Sequence, residues 1–158
     1  MKVIVISDTH GNVPLALRAC EQTKPFDAVI HLGDGDDGND PDLIEQYLDI
    51  DVIRVAGNCD PNSAAPRELL WECNGKRLLL VHGDSYGVKN GMGRLEQRGL
   101  DAEADAVLFG HTHCATITTL SGMLFVNPGT LMKSDTPTTF AILEISSTGI
   151  KARLQDIS

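Results

Sequence analysis

The chain has 158 residues, of which 42% are hydrophobic, enough for the core of one domain spanning residues 1–158. A net charge of −9, without the basic footprint of nucleic-acid or anionic-membrane binders, argues against both kinds of partner. No apolar run approaches the ~20 residues of a membrane span. The four cysteines form no CxxC pair and favour a reducing compartment, so we expect a cytoplasmic protein.

Short apolar runs bounded by turn residues predict buried strands along the first two-thirds of the chain. These strands are predicted at residues 2–7, 28–32, 52–56, 77–81 and 106–109. Between the first two, Val13, Ala16, Leu17 and Cys20 have the spacing of an amphipathic helix. A second, more acidic helix is predicted at residues 41–48. The alternation of strands and helices predicts parallel βαβ units with right-handed crossovers.

The last third of the chain has the pattern of a hairpin-rich region. Strands are predicted at residues 114–120, 123–126, 138–146 and 150–154, separated by turns at Gly122, Pro128-Gly129 and Gly149. Upstream of this region, a polar loop from Asp84 to Gly93 precedes a helix that ends near Gly99. These elements together predict two sheets packed face to face with helices outside.

Metal-ligating residue types follow five of the predicted strands. They are Asp8 and His10, Asp34, Asn58 with Cys59 and Asp60, His82, and His111 with His113. Because ligands bind at the carboxyl ends of strands in open α/β sheets, we expect these side chains on one rim. Asp8 and His10 lie two residues apart, as do His111 and His113, and in extended chain this spacing directs both members of a pair to the same side.

Oxygen and imidazole ligands without thiolate suit manganese, iron, zinc or nickel better than a structural, cysteine-rich zinc site. A carboxylate such as Asp34 can bridge two ions. Two ions ~3.5–4 Å apart can clamp a phosphoryl group, generate hydroxide and stabilise the attacking and leaving oxygens. Bound cations would also counter the acidic charge of the chain where a phosphate must sit.

Some of these residues allow other interpretations. Gly33 to Gly38 match the G-x-G-x-x-G pattern of a dinucleotide-binding loop, but the loop follows the second strand and its aspartates would face a pyrophosphate. The acidic stretch from residue 34 to residue 51 is otherwise typical of a solvated loop and helix face. His31 is expected in or beside the core, and Asn127 to Thr130 chiefly form a turn.

The ordered motifs resemble those of a known family. Asp8-x-His10, Gly33-Asp34, Gly57-Asn58-x-Asp60, His82-Gly83 and Gly110-His111-x-His113 are similar to the signature of the calcineurin-like metallophosphoesterases, in particular their small bacterial and archaeal phosphodiesterases. The resemblance implies an α/β fold, a four-layer α-β-β-α sandwich. It also implies hydrolysis of phosphodiesters or phosphomonoesters by a hydroxide activated by two metal ions.

The resemblance further implies which residues bind each ion. One site would comprise Asp8, His10, Asp34 and His113, and the other Asp34, Asn58, His82 and His111, with Asp34 as the bridge. Manganese is the first expectation for both divalent ions, with nickel, iron, zinc or magnesium as alternatives. Asn58 and the histidines, His82 included, would orient the metals and the phosphate.

Cys59 departs from the family pattern, because larger members usually carry a histidine there as the leaving-group acid. Proton donation is then left to water, Asp60 or Cys59, and general acid help is typically worth ~10²–10⁴-fold. We therefore expect slow turnover and a preference for good leaving groups. Rates on a series of aryl phosphate diesters that did not depend on leaving-group pKa would contradict this expectation.

The first functional hypothesis is a metal-dependent phosphodiesterase acting on a small phosphorylated substrate. A phosphomonoesterase of small metabolites stays open, because a compact chain with no obvious cap leaves the site accessible to many substrates. A non-catalytic scaffold with the same fold is the third hypothesis, and the intact ligand set argues against it. The sequence leaves the oligomeric state open, a homo-oligomer included.

Overall fold

The computed structural model describes residues 1–134 and 137–157. The helices are α1 (Val13–Thr23), α2 (Asn39–Leu48) and α3 (Gly93–Asp101), with a short 3-10 turn at Asp84–Tyr86. The strands are β1 (Lys2–Ile6), β2 (Ala28–His31), β3 (Val52–Arg54), β4 (Glu68–Cys73), β5 (Lys76–Val81), β6 (Ala106–Leu108), β7 (Thr116–Leu120), β8 (Met123–Asn127), β9 (Thr139–Ser146) and β10 (Gly149–Asp156).

The strands form two five-stranded mixed sheets, with the orders β10-β9-β1-β2-β3 and β4-β5-β6-β8-β7. In the first sheet β1, β2 and β3 are parallel, and in the second sheet β5, β6 and β8 are parallel. The parallel strands therefore end at a common edge of each sheet. The loops after β1, β2, β3, β5 and β6 carry every candidate ligand, so the two edges together form the predicted rim.

Alternating side chains of the strands separate the interior into layers. In β1, Val3 and Val5 belong to the cluster between the two sheets, whereas Ile4 and Ile6 pack against α1 and α2 on the other face. On the far side of the second sheet, Leu95 of α3 packs with strand residues of the outer face. This arrangement confirms the predicted α-β-β-α sandwich, which is a mixed α/β fold.

The sequence prediction missed one strand. β4 pairs with β5 through the turn Asn74-Gly75, and both turn residues have positive φ. An Asn-Gly pair between two apolar runs is a strong signal for a two-residue hairpin, and it was available in the sequence. Helix α2 also begins at Asn39, earlier than predicted, because Pro41 is tolerated in the first turn of a helix.

Across residues 1–134 and 137–157, the helices are too short and too polar for any of them to cross a membrane.

Candidate metal centre

The candidate ligands lie in loops whose backbone is unusual for their residue types. Asp8, His10, Asp34, His111 and His113 all have φ between 43° and 70°, in the left-handed region. Non-glycine residues rarely adopt this conformation, and when they do they cluster at functional sites. The expectation of extended backbone at the pairs Asp8/His10 and His111/His113 is therefore wrong.

Asp8 is fully buried and divides its two carboxylate oxygens between the loops and the imidazoles. Oδ2 accepts hydrogen bonds from the Ser7 hydroxyl and from the backbone N–H of His111. Oδ1 lies 3.1 Å from His113 Nε2, 3.7 Å from His10 Nε2 and 3.8 Å from His82 Nε2. One oxygen is thus held by the fold, and the other faces the centre.

Asp34 shows the same division between its oxygens. Oδ1 accepts a 2.8 Å hydrogen bond from the backbone N–H of Cys59, while Oδ2 lies 3.2 Å from His82 Nε2 and 3.8 Å from His10 Nε2. The ring of His82 is oriented by its Nδ1, which lies 2.8 Å from the carbonyl oxygen of Leu32 and donates to it. This bond leaves the Nε2 lone pair directed at the carboxylate, which is the tautomer that a metal requires.

The candidate ligands form three overlapping groups, each able to hold one ion. They are Asp8, His10 and His113; Asp34, His82 and His111; and His10, Asp34 and Cys59. Asp8 and His10 fall in one group, although their backbone is not extended. His111 and His113 fall in different groups, as the family resemblance implies and in contrast to the shared side that their spacing predicts.

Two nitrogen atoms at this centre make no well-formed hydrogen bond. In the described part of the chain, the buried side-chain nitrogen and oxygen atoms without a hydrogen-bond partner are His10 Nε2 and His82 Nε2. Buried polar groups are almost always satisfied, so such an atom needs an explanation. Both nitrogens face carboxylate oxygens less than 4 Å away, which fits a cradle for divalent cations.

The electrostatics of the centre favour ionised carboxylates. Burial raises the pKa of Asp8, yet the neighbouring His10 and His113 hold it well below its usual range. Burial likewise raises the pKa of Asp34, but His82 and the backbone N–H of Cys59 together bring this pKa below its usual value. The proximity of Asp8 raises the pKa of His10. The two carboxylates therefore stay ionised and attract positive charge, whether a proton on an imidazole or a bound cation.

The loop after β3 holds three of the predicted site residues, in different environments. Asn58 is exposed, and its side-chain amide contacts the sulfur of Cys59 at 3.6 Å. Asp60 is buried, and its carboxylate accepts hydrogen bonds from the backbone N–H groups of Asp34, Gly35 and Gly57. Asp60 therefore fastens the loops after β2 and β3 to each other, a geometry that does not fit a proton donor to the substrate.

A buried hydrogen-bond chain that the sequence did not predict supports the loop after β1. His31 Nδ1 accepts from the Gly33 N–H, so Nε2 carries the proton and donates to Thr9 Oγ1 at 2.9 Å. Thr9 in turn donates to Asp40 at the start of α2. Thr9 separates Asp8 from His10, so this chain fixes both residues. His31 lies fully buried, consistent with its predicted core position.

The end of β8 and the segment after it also contact the centre, although their sequence indicated chiefly a turn. Thr130 Oγ1 donates to the carbonyl oxygen of Asp8, and Asn127 Nδ2 donates to the carbonyl oxygen of Gly110 and to Thr112 Oγ1. These bonds connect the loops after β1 and β6. No spacing pattern in the sequence reveals them, because they depend on how the loops pack.

Comparison with known proteins agrees with the fold. Residues 1–148 match the model of the calcineurin-like phosphoesterase superfamily domain. The chain is 31% identical over 159 residues to the probable metallophosphoesterase YsnB of Bacillus subtilis, covering 99% of this chain and 91% of that protein. The chain therefore belongs to the calcineurin-like phosphoesterase superfamily. It is also 28% identical over 170 residues to the phosphodiesterase YfcE of Escherichia coli, covering 91% and 88% of the two chains.

Solved structures show the same fold. A predicted phosphoesterase from Streptococcus pneumoniae superposes with a TM-score of 0.83 and 25% identity, covering 98% of this chain and 88% of that chain. Vps29 of Entamoeba histolytica, complexed with Zn²⁺, superposes with a TM-score of 0.80 and 22% identity, covering 100% of both chains. The likeness to Vps29 is one of fold alone.

Proposed function

We propose that this protein is a phosphodiesterase that depends on two divalent cations held where the edges of its two sheets meet. The observation that carries the proposal is the pair of buried imidazole nitrogens, His10 Nε2 and His82 Nε2, directed at Asp8 and Asp34 without hydrogen bonds of their own. Membership of the phosphoesterase superfamily and the similarity to YfcE, named a phosphodiesterase, support the reaction class.

The ligand groups of the fold suggest how the cations would be shared. Asp8, His10 and His113 would hold one ion, and Asp34, His82 and His111 the other. Asp34 Oδ2 lies 3.8 Å from His10 Nε2 and 3.2 Å from His82 Nε2, so it reaches ligands of both groups and is the bridge that we propose. Asn58 would join the second group after its exposed side chain turns inward.

The cations and the protein have separate tasks in this proposal. Bound divalent cations supply positive charge for the phosphoryl oxygens and lower the pKa of water toward neutrality. The protein supplies orientation, because the Ser7 hydroxyl and the backbone N–H groups of His111 and Cys59 hold one oxygen of each carboxylate in place. Preorganised groups of this kind need no rearrangement during the reaction.

Protonation of the leaving group has no strong candidate in the protein. Asp60 is buried in backbone hydrogen bonds, and burial together with the nearby carboxylates raises the pKa of the Cys59 thiol. Water is therefore the proton source that we propose. This assignment retains the expectation of slow turnover and a preference for good leaving groups.

The test is reconstitution of the chelated protein with manganese, nickel, zinc or magnesium, followed by assays on bis(p-nitrophenyl) phosphate and p-nitrophenyl phosphate. We expect hydrolysis that requires added metal and is faster on the diester. Asp34→Asn should lose both bound metal and activity, because the bridging oxygen is replaced by an amide group. Retention of metal and turnover in this variant would refute the assignment of the bridge.

Asp36→Asn is the matched control. Asp36 lies two residues from Asp34, is exposed and also has a positive φ, at 52°. Asparagine tolerates that conformation, so this variant should keep both metal and activity. Faster hydrolysis of the monoester by the wild type would favour the phosphomonoesterase instead. Full metal occupancy without hydrolysis of either substrate would favour the scaffold.

A further inference from the structure

The third ligand group of the centre contains a thiol, which the pair of metal sites proposed above does not use. Atoms of His10, Asp34 and Cys59 lie within 4.8 Å of one another. Cys59 is exposed at the mouth of the centre, while Asp34 is buried below it. The sulfur therefore lies where an ion arriving from solvent would meet it.

The separations suit one ion bound to all three residues. Zinc-type ions have bonds of about 2.0–2.3 Å to nitrogen, oxygen and sulfur, so ligand atoms at tetrahedral angles on one ion are about 3.3–3.8 Å apart. Rotation of the exposed Cys59 side chain can close the remaining difference. The observation at His10 also applies here, because its buried Nε2 has no hydrogen-bond partner and lies 3.8 Å from Asp34 Oδ2.

The loop after β3 holds Cys59 in this position from two sides. Its backbone N–H donates a 2.8 Å hydrogen bond to Asp34 Oδ1, so Cys59 is fixed to the carboxylate with which it would share an ion. Asp60 accepts from the N–H of Gly57 at 2.8 Å and from that of Asp34 at 2.7 Å, which holds the turn against the loop after β2. These backbone hydrogen bonds therefore hold Cys59 close to the centre.

We infer that Cys59 is a further metal ligand: the ion that His10 would bind in the proposed centre, close to Asp34, also takes the Cys59 sulfur, which suits that site to a thiophilic divalent cation such as zinc, cobalt or cadmium. On binding, the S–H bond breaks, the sulfur–metal bond forms and the proton leaves to solvent. Thiolate donors favour zinc over manganese and magnesium, so the inference changes the expected metal preference. It rests on the proposed function for the other ligands of the centre.

Cobalt(II) provides a test that does not depend on activity. A cobalt–thiolate bond gives a charge-transfer band in the near ultraviolet, whereas imidazole and carboxylate ligands give only d–d bands in the visible. We expect the charge-transfer band when the chelated, reduced wild type is titrated with cobalt chloride. Cys59→Ser should lose that band and keep the visible ones.

Cys114→Ser is the matched control, since Cys114 is also exposed and directly follows His113. This variant should retain the band. In competition titrations, Cys59→Ser should bind zinc about tenfold or more weakly than the wild type, while its affinity for manganese stays the same.

The outcomes separate this inference from the proposed function. Cobalt bound to the wild type without the charge-transfer band, or a band that survives in Cys59→Ser, overturns Cys59 as a ligand. Either result leaves the phosphodiesterase proposal intact. Failure of the wild type to bind cobalt at all contradicts both.

Discussion

The buried carboxylates lie in space that a side chain at Gly57 or Gly110 would fill. A Cβ added at Gly57 would lie 2.2 Å from Asp34 Oδ1, and one added at Gly110 would lie 2.2 Å from Ser7 Oγ and 2.7 Å from Asp8 Oδ2. Atoms cannot approach so closely, so a larger residue must displace the carboxylate or the loop. Each of these glycines immediately precedes a candidate ligand in the sequence. The metal centre therefore needs a residue without a side chain at both positions.

We therefore expect Gly110→Ala to lose most of its metal binding and to lower the free energy of unfolding by about 1–3 kcal/mol, the usual effect of overpacking. Urea denaturation and metal analysis of the purified variant measure the two effects. Gly149→Ala is the control, because no atom lies within 4 Å of the added Cβ. Its free energy of unfolding should change by no more than about 0.5 kcal/mol. Normal metal content in Gly110→Ala would show that the loop adapts without moving Asp8.

His31 predicts a pH dependence of stability. Burial lowers the pKa of its imidazole from 6.5 to about 4, so it stays neutral in the fold while the unfolded chain takes up a proton. The unfolded state binds more protons in this window, and stability is therefore complete above pH 6.5 and falls as the pH drops toward 4. At 1.36 kcal/mol per pH unit, the loss has an upper limit of about 3 kcal/mol.

Urea unfolding of the chelated protein across this pH range measures the effect. His31→Gln removes the titrating group, so its stability should fall less steeply with decreasing pH than that of the wild type. The two proteins are compared by the slope of the free energy of unfolding against pH, since the variant also loses buried hydrogen bonds and is less stable at every pH. Equal slopes for the two proteins would mean that His31 does not stay neutral in the fold.

Residue types after strand ends indicated the members of the centre, but the sequence could not give their backbone. The spacing of His111 and His113 predicted one shared region, but both residues have left-handed φ and they fall in different ligand groups. The role of Asp60 was also beyond the sequence, because its partners are backbone N–H groups on two different loops. Such hydrogen bonds leave no periodic trace in the sequence.

At the scale of the elements, helix α2 is coupled to the metal centre through its first turn. Asp40 is buried there and accepts hydrogen bonds from Thr9 Oγ1 at 2.6 Å and from the Gly11 N–H at 2.7 Å. Both donors belong to the loop that contains Asp8 and His10. The N-terminus of a helix favours a negative side chain, so the carboxylate serves the helix and the loop together.

Asp40→Asn should weaken metal binding about tenfold, the lower end of the effect seen when groups that orient metal ligands are removed. Both donors bond to the same carboxylate oxygen, Oδ2, and the neutral amide oxygen of asparagine accepts these hydrogen bonds more weakly than the charged carboxylate does. Metal titration of the chelated variant measures the change. The control is Asp42→Asn in the same turn, whose exposed side chain pairs with Arg54 at the surface, where ion pairs contribute little. Comparable losses in both variants would contradict a specific role for Asp40.

Most elements could be predicted from the sequence because their apolar periodicity is strong. The alternation in β1 and the helical spacing in α1 both lead to buried faces in the structure. β4 was not predicted because it is only partly buried, with Leu70 exposed and Trp71 half-buried. Its apolar sequence pattern is therefore weaker than that of a core strand. Burial depends on the neighbouring strands, and β4 lies at the edge of its sheet.

At the scale of the whole molecule, the centre exists because two sheets place their parallel strands at one end. The first sheet contributes Asp8, His10 and Asp34, and the second contributes the three remaining histidines of the ligand groups. Neither sheet alone supplies both carboxylates and a full set of imidazoles. Cations bound at this junction would also offset part of the net charge of −9, so metal binding should stabilise the packing of the two layers.

The most direct measurement is a crystal structure of the manganese-loaded protein with anomalous scattering data. We predict two anomalous peaks roughly 3.5–4 Å apart, one beside Asp8, His10 and His113 and the other beside Asp34, His82 and His111. The Asp34 carboxylate should lie between them. A fully loaded crystal with a single peak, or with peaks away from these side chains, would contradict the two-cation centre.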